Sequence, residues 1–279
     1  MCMMKVLLLT LALFASSLVS AQVIVYKYEQ FNADSVRREL DKRPYFSLNK
    51  DNYLIVGTTL GERPTSSNSD AKFQLSISQR LTKTVLPFDT YLFIMYTQKA
   101  FWNVFQKSMP MRDLNFNPGI GLMRPIIYKN KYIGKGSLIL EHESNGKDSL
   151  ASRSWNKVTL AVAVLMHKNV EMQFKTCIPI IDSDNNRDIL RYNGIGQLAT
   201  SFMTDNRKFN AAVILNKRKG WDFNFNTTLE VGYKFNPRDN QYIFLQYYNG
   251  YGEGLLEYKQ FQSKLRIGFV IKPQDFSFY

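Results

Sequence analysis

The stretch Ile139 to Val158, ILEHESNGKDSLASRSWNKV, carries three side chains that can perform acyl transfer together. His142 and Ser144 are one residue apart. In an extended chain that spacing puts them on one face, about 6.6 Å apart at Cα, a gap an imidazole can span to take a proton from a serine hydroxyl. Asn156 lies beyond a polar turn, where a hairpin returns it alongside His142. Its carbonyl oxygen can accept the proton on the second ring nitrogen and hold the tautomer, the role an Asp plays in other triads.

Parity decides which way the three point. Leu138, Leu140, His142 and Ser144 share one face of their segment, with Ser137, Glu141 and Glu143 on the other. Asn156 shares its face with Val158, Leu160, Val162 and Val164. Charges belong in water, so the trio faces apolar surroundings. A neutral Asn is cheaper there than an Asp. Each unsatisfied polar group costs about 1–3 kcal/mol by protein mutational data, so a polar trio on an apolar wall needs a reason other than structure. A His-x-Ser pair alone would be read as ordinary polar residues near a membrane interface; the matching parity of Asn156 turns the reading toward a site.

Such faces require strands. In WDFNFNTTLEVGYKF, Trp221, Phe223, Phe225, Leu229, Val231, Tyr233 and Phe235 alternate with Asp222, Asn224, Asn226, Glu230 and Lys234. KFQLSISQRL does the same, with Phe73, Leu75, Ile77 and Leu81 against Lys72, Gln74, Ser76, Ser78 and Arg80. Period two with one apolar and one wet face describes a strand between two environments. Twelve such segments fall near 52–60, 71–82, 90–102, 113–124, 132–144, 154–166, 169–180, 190–204, 208–217, 222–236, 240–249 and 257–272. Their length suits a tilted membrane strand of about 9–11 residues better than a soluble strand of about 5 or 6. The predicted fold is therefore all-β, a twelve-stranded antiparallel transmembrane β-barrel of the outer membrane. An even count brings both ends to one side. Tight connections such as HKN, DN and NPRDN then lie on the periplasmic side, and the longer loops, including 145–153 and 181–189, face outward.

The rest of the chain fits that expectation. Residues 1–21 combine a basic residue, an apolar run and small residues near Ser20 and Ala21, and read as a cleaved secretory signal. Residues 22–50 are expected to form an N-terminal periplasmic segment, with a short helix capped by Asp34 or Ser35 and an extended entry at Pro44. Residues 51–279 form the barrel domain. Loss of Cys2 with the leader leaves Cys177 without a disulfide partner. The net charge of +13 comes from dispersed Lys and Arg with no nucleic-acid-binding motif, so an anionic lipid surface is the expected partner and nucleic acid is not. Beyond the leader no apolar run reaches the ~18 residues of a membrane helix. Tyr and Phe number 16 and 20, as aromatic girdles require, and the chain ends FSFY.

HESNGKDSLASRSWN, from His142 to Asn156, closely resembles the signature of the outer-membrane phospholipase A family, calcium-dependent enzymes on twelve-stranded barrels. The resemblance continues in NYLIVG with KFQLSIS, in YTQKAFW, MRDLNFNPGIGL, DNNRDI, YNGIGQL and NGYGEGLLEY, and so spans nearly all of the mature chain. It implies that Ser144 is the nucleophile, His142 the base and Asn156 the orienting residue, with the Gly146 amide in the oxyanion hole. It implies calcium held by the Ser152 hydroxyl and the Lys147 carbonyl, Lys standing where the family usually has Arg. Family enzymes act as homodimers in which a partner loop completes the calcium site; KSMPMRD aligns there, with Met109 or Ser108 at the contributing position. Asp184 matches a ligand of calcium in the monomeric form, and Gln98 a residue that bonds across the dimer interface. Arg153 and Trp155, on the inward face, are expected to brace the site, and His167 to be an ordinary turn residue.

The expected function is calcium-dependent hydrolysis of acyl esters of phospholipids and lysophospholipids, at the sn-1 and sn-2 positions, on the outer-leaflet side of the membrane. A catalytically silent barrel is the contrasting expectation, and it predicts decay of a trio that is intact here. An acyltransferase on the same barrel would use the same serine. A surface protease would need an acidic or water-activating group at the rim, and none stands out.

Overall fold

A computed structural model describes residues 33–82, 86–181, 184–236, 240–273, 276, 278 and 279. The expected leader and Cys2 lie outside the described residues, as does the start of the 22–50 segment.

Alternation makes the strands, and closure makes the fold. Helix α1 (Ala33–Lys42) and the short strand β1 (Phe46–Leu48) lead into β2 (Asn52–Thr59), β3 (Ser69–Arg80), β4 (Tyr91–Trp102), β5 (Met111–Tyr128), β6 (Lys131–Ser144) and β7 (Ser154–His167). The chain continues through β8 (Val170–Ile180), helix α2 (Ile189–Asn193), β9 (Gly196–Met203), β10 (Phe209–Lys217), β11 (Phe225–Tyr233), β12 (Gln241–Gly250) and β13 (Gln262–Ile271). Each of β2 to β13 pairs with its chain neighbours, and β13 pairs with β2, so twelve antiparallel strands close a barrel with no free edge. The three-residue β1 adds to β3 where β2 has ended. Even strand number returns the chain to one end, where the connections are mostly short turns; the other end carries the loops 60–68, 103–110, 145–153, 181–195, 218–224 and 251–261.

Residue burial follows parity. On β3, Lys72, Gln74, Ser76, Ser78 and Arg80 are buried in the lumen while Leu75 and Ile77 are exposed on the outer wall. On β11, Asn226 and Glu230 are buried and Leu229, Val231 and Tyr233 exposed. The lumen is held by paired charges: Arg266 bonds Asp70 (2.7 Å) and Glu253 (2.6 Å), and Lys72 bonds Glu253 (3.0 Å) and Gln246 (2.7 Å). A cavity of about 240 Å³ remains among Lys50, Glu141, Glu143, Lys157, Lys175 and Tyr279.

Several boundaries differ from the sequence reading. The segment expected as a strand over 190–204 is α2 as far as Asn193, and the strand starts only at Gly196. Gly194 ends the helix at φ +74°, where a Cβ would lie 1.8 Å from the Lys217 carbonyl oxygen. Trp221 and Phe223 precede β11 in a loop tied by Lys217 Nζ to the Gly220 carbonyl (2.8 Å). Residues 257–261 precede β13 because Leu255 and Tyr258 turn inward to pack on Trp155 and Ile189. Helix α1 already includes Ala33, so Asp34 and Ser35 sit in its first turn rather than at its cap; Asp34 pairs with Arg37 (2.9 Å) and the Ser35 hydroxyl accepts from Arg38 (2.9 Å). The terminal aromatics turn inward. Phe278 packs in the lumen on Ala161 and Ala163, and the Tyr279 carbonyl accepts from Lys175 (2.7 Å).

Candidate active site

Strands β6 and β7 meet in the register His142↔Asn156 and Ser144↔Ser154, so the hairpin that returns Asn156 brings it directly opposite His142. Leu138, Leu140, Leu160 and Val162 on the same face are exposed, whereas Ile139, Trp155, Thr159 and Ala161 on the other are buried. The trio therefore stands on the outer wall, as parity requires. The His142 Nδ1 and Asn156 Oδ1 atoms are 2.8 Å apart. An amide oxygen only accepts, so Nδ1 carries the proton and Nε2 is left with a free lone pair. Ser144 follows on the same face; no hydrogen bond joins its hydroxyl to the imidazole among the described residues, a looseness common before substrate arrives. The lumen cavity lies behind this wall, on the opposite face of the sheet from the trio.

The loop after Ser144 is shaped by Asn145, which sequence reasoning missed. Its buried side chain donates to the Ala151 carbonyl (2.9 Å) and accepts from the Arg153 amide (2.9 Å), closing the loop on itself. An Asn directly after a strand and before Gly is a turn signal that could have disclosed it. Gly146 takes φ +63°, and a Cβ there would meet the Phe116 ring at 2.8 Å, so only glycine fits without displacement. Its amide donates to nothing among the described residues and is available to an oxyanion. Arg153 braces the loop by donating to the Leu150 and Ser152 carbonyls (both 2.8 Å), and Trp155 is buried with its indole on Glu143 (3.1 Å). Glu143 also pairs with Lys157 (2.8 Å). Asn186, fully buried, bonds both main-chain groups of Ser154 (2.9 and 3.1 Å) and fastens the 181–195 loop to the start of β7. Nothing local in the sequence marks it, because its partner is 32 residues away.

The donors expected for calcium are hard oxygens. The Ser152 hydroxyl and the Lys147 carbonyl both lie on this loop, and neither is spent on a hydrogen bond among the described residues. No cluster of three or more His, Cys, Asp or Glu suited to a metal occurs among the described residues. Two oxygens fit a cation that takes six to eight, provided water or a second chain supplies the remainder. The other expected ligands have partners of their own. Met109 is exposed, with φ +41°, and its carbonyl already accepts from the Trp102 indole (2.7 Å). Asp184 is held by Arg187, although the adjacent Asn185 reaches the Ser149 carbonyl (2.8 Å). Gln98 is on the outer face of β4 and accepts from the Tyr96 hydroxyl on its own strand (3.2 Å). His167 ends β7 at the turn.

Fold and site together define an outer-membrane β-barrel with an imidazole, an amide and a serine hydroxyl gathered on its outer wall. The phospholipase A1 family model matches residues 43–271, and the chain belongs to that family. It is 28% identical over 237 residues to a phospholipase A1 of Salmonella typhimurium, covering 79% of each chain. It is 27% identical to the phospholipase A1 of Escherichia coli K12, covering 72% of this chain and 69% of that one. Among solved structures, a Salmonella typhi outer membrane phospholipase dimer with bound calcium superposes with a TM-score of 0.72 at 23% identity, over 87% of this chain and 99% of that one. The Escherichia coli outer membrane phospholipase A superposes with a TM-score of 0.69 at 24% identity, over 81% and 93%. These likenesses show that the barrel fold is shared.

Proposed function

We propose that this chain is a calcium-dependent outer-membrane phospholipase that cleaves the acyl esters of phospholipids and lysophospholipids, at sn-1 and sn-2, from its lipid-facing wall. The observation that carries the reading is the 2.8 Å contact of His142 Nδ1 with Asn156 Oδ1, with Ser144 on the same outer face. His142 Nε2 takes the Ser144 proton as Oγ attacks the ester carbonyl carbon. The Gly146 amide donates to the oxygen on which charge develops. Collapse expels the lysophospholipid alkoxide, which takes the proton from His142. Water, deprotonated by the same nitrogen, then hydrolyses the acyl-serine and frees the fatty acid. Asn156 holds the imidazole in the required tautomer throughout.

Calcium held by the Ser152 hydroxyl and the Lys147 carbonyl would supply positive charge beside the oxyanion. Two oxygens from one chain leave room for a ligand from a second copy, and the Met109 carbonyl retains one lone pair for it. Homodimerisation, with Gln98 at the contact, is thus part of the reading, and Asp184 is assigned to a calcium site of the monomer. The loop end faces the outer leaflet and residues 22–50 the periplasm.

The test is fatty-acid release from mixed phospholipid–detergent micelles by the refolded protein. Release should fall about 10²–10³-fold in EDTA and return with added calcium. Turnover indifferent to EDTA would contradict the calcium site; a folded barrel that releases nothing at any calcium concentration would be a silent one.

A further inference from the structure

The register between β5 and β6 has a gap behind the imidazole. Phe116 faces Ser144 and pairing resumes at Gly119 facing Glu141, which leaves Pro118 opposite His142. On its other side Pro118 keeps its place in the β4 ladder, opposite Tyr96. Proline has no N–H, so it cannot supply the ladder bond to the carbonyl of the residue it faces. That residue is His142. The missing donor is replaced by a side chain: Asn117 Nδ2 donates to the His142 carbonyl at 2.9 Å and to Glu141 at 3.0 Å. Glu141 in turn accepts from the buried Thr159 hydroxyl on β7 (2.5 Å). A chain of hydrogen bonds on the wet face therefore joins β5, β6 and β7 directly behind the trio on the greasy face.

We propose that Asn117 is a positioning residue, which replaces the bond that Pro118 cannot make and so fixes the peptide from which the His142 imidazole is hung. This rests on the reading of His142 and Ser144 as the reaction centre. Without the bond, β6 is free to shift at His142, the one residue whose ring must meet Asn156 on one side and Ser144 on the other. Reaction geometry of this kind is lost with displacements of about 1 Å. The substrate lies on the opposite face, so its binding should be little changed.

Asn117→Ala and Asn117→Asp should each lower kcat about tenfold or more with KM within about twofold, and slow the labelling of Ser144 by a fluorophosphonate to the same degree. The diagnostic variant is N117A/P118A. Its residue 118 brings back a backbone N–H opposite the His142 carbonyl, so kcat should recover to within about threefold of wild type, while P118A alone stays near wild type. A role in bulk stability would not predict that a second substitution restores turnover. A folded N117A or N117D with wild-type kcat, or a folded double variant no faster than N117A, would overturn the inference. Wild-type protein that neither hydrolyses phospholipid nor labels at Ser144 would instead remove the reaction centre itself and the inference with it.

Discussion

The two polar clusters of the barrel differ in how completely their valences are filled. In the lumen, Arg266 spreads its guanidinium over Asp70 and Glu253, and Lys72 adds a second contact to Glu253 and one to Gln246. Each of these charges has more than one partner. On the outer wall, the His142 imidazole has one partner, Asn156, and the Ser144 hydroxyl and Gly146 amide have none among the described residues. Saturated groups hold strands together. Groups with a spare lone pair or proton, kept on an apolar surface where each costs free energy, are ready for a ligand that brings the missing partner.

That contrast can be broken from either side. The largest effect is expected for Ser144→Ala, which should cost on the order of 10⁴–10⁶ in kcat while leaving the barrel folded, as judged by heat-dependent migration on gels. Undiminished turnover would refute the assignment of the nucleophile. In the lumen, Arg266→Ala removes the cation shared by two buried carboxylates, leaving Glu253 with Lys72 and Asp70 with Arg112, and should lower stability by about 3 kcal/mol in denaturant titration, with kcat of the folded fraction unchanged. A marked loss of kcat without loss of stability would erase the distinction between the clusters. Asn156→Ala removes the neutral hydrogen bond to His142 and with it the hold on the tautomer, and a loss of about 10- to 100-fold in kcat is expected with a much smaller change in stability. Equal losses of activity and stability would show that the amide is structural.

The sequence carried much of this. All twelve expected barrel segments correspond to strands, and those of β2, β3, β4, β6, β7, β8, β10 and β12 match to within about a residue or two, because alternation is a property of neighbours in the chain. The outward parity of His142, Ser144 and Asn156 was legible for the same reason, as was the brace formed by Arg153 and Trp155. Errors gathered where the loop end folds back. Residues 190–193 and 257–261 left the strand pattern because Ile189, Leu255 and Tyr258 found a common packing site with Trp155, and no local period announces such a contact.

The amino-acid sequence by itself determined which residues face lipid and which face the lumen, since a period of two has only two phases. Only the tertiary structure decided what stands behind each of them. That Asn117 serves the carbonyl of His142, that Asn186 clasps Ser154, and that Phe278 lies among the alanines of β7 all depend on how strands, loops and the chain end pack in three dimensions. Strand pairing and the folding of the chain end into the lumen bring together groups from 25 to more than 100 residues apart, whose mutual distance no short-range rule constrains.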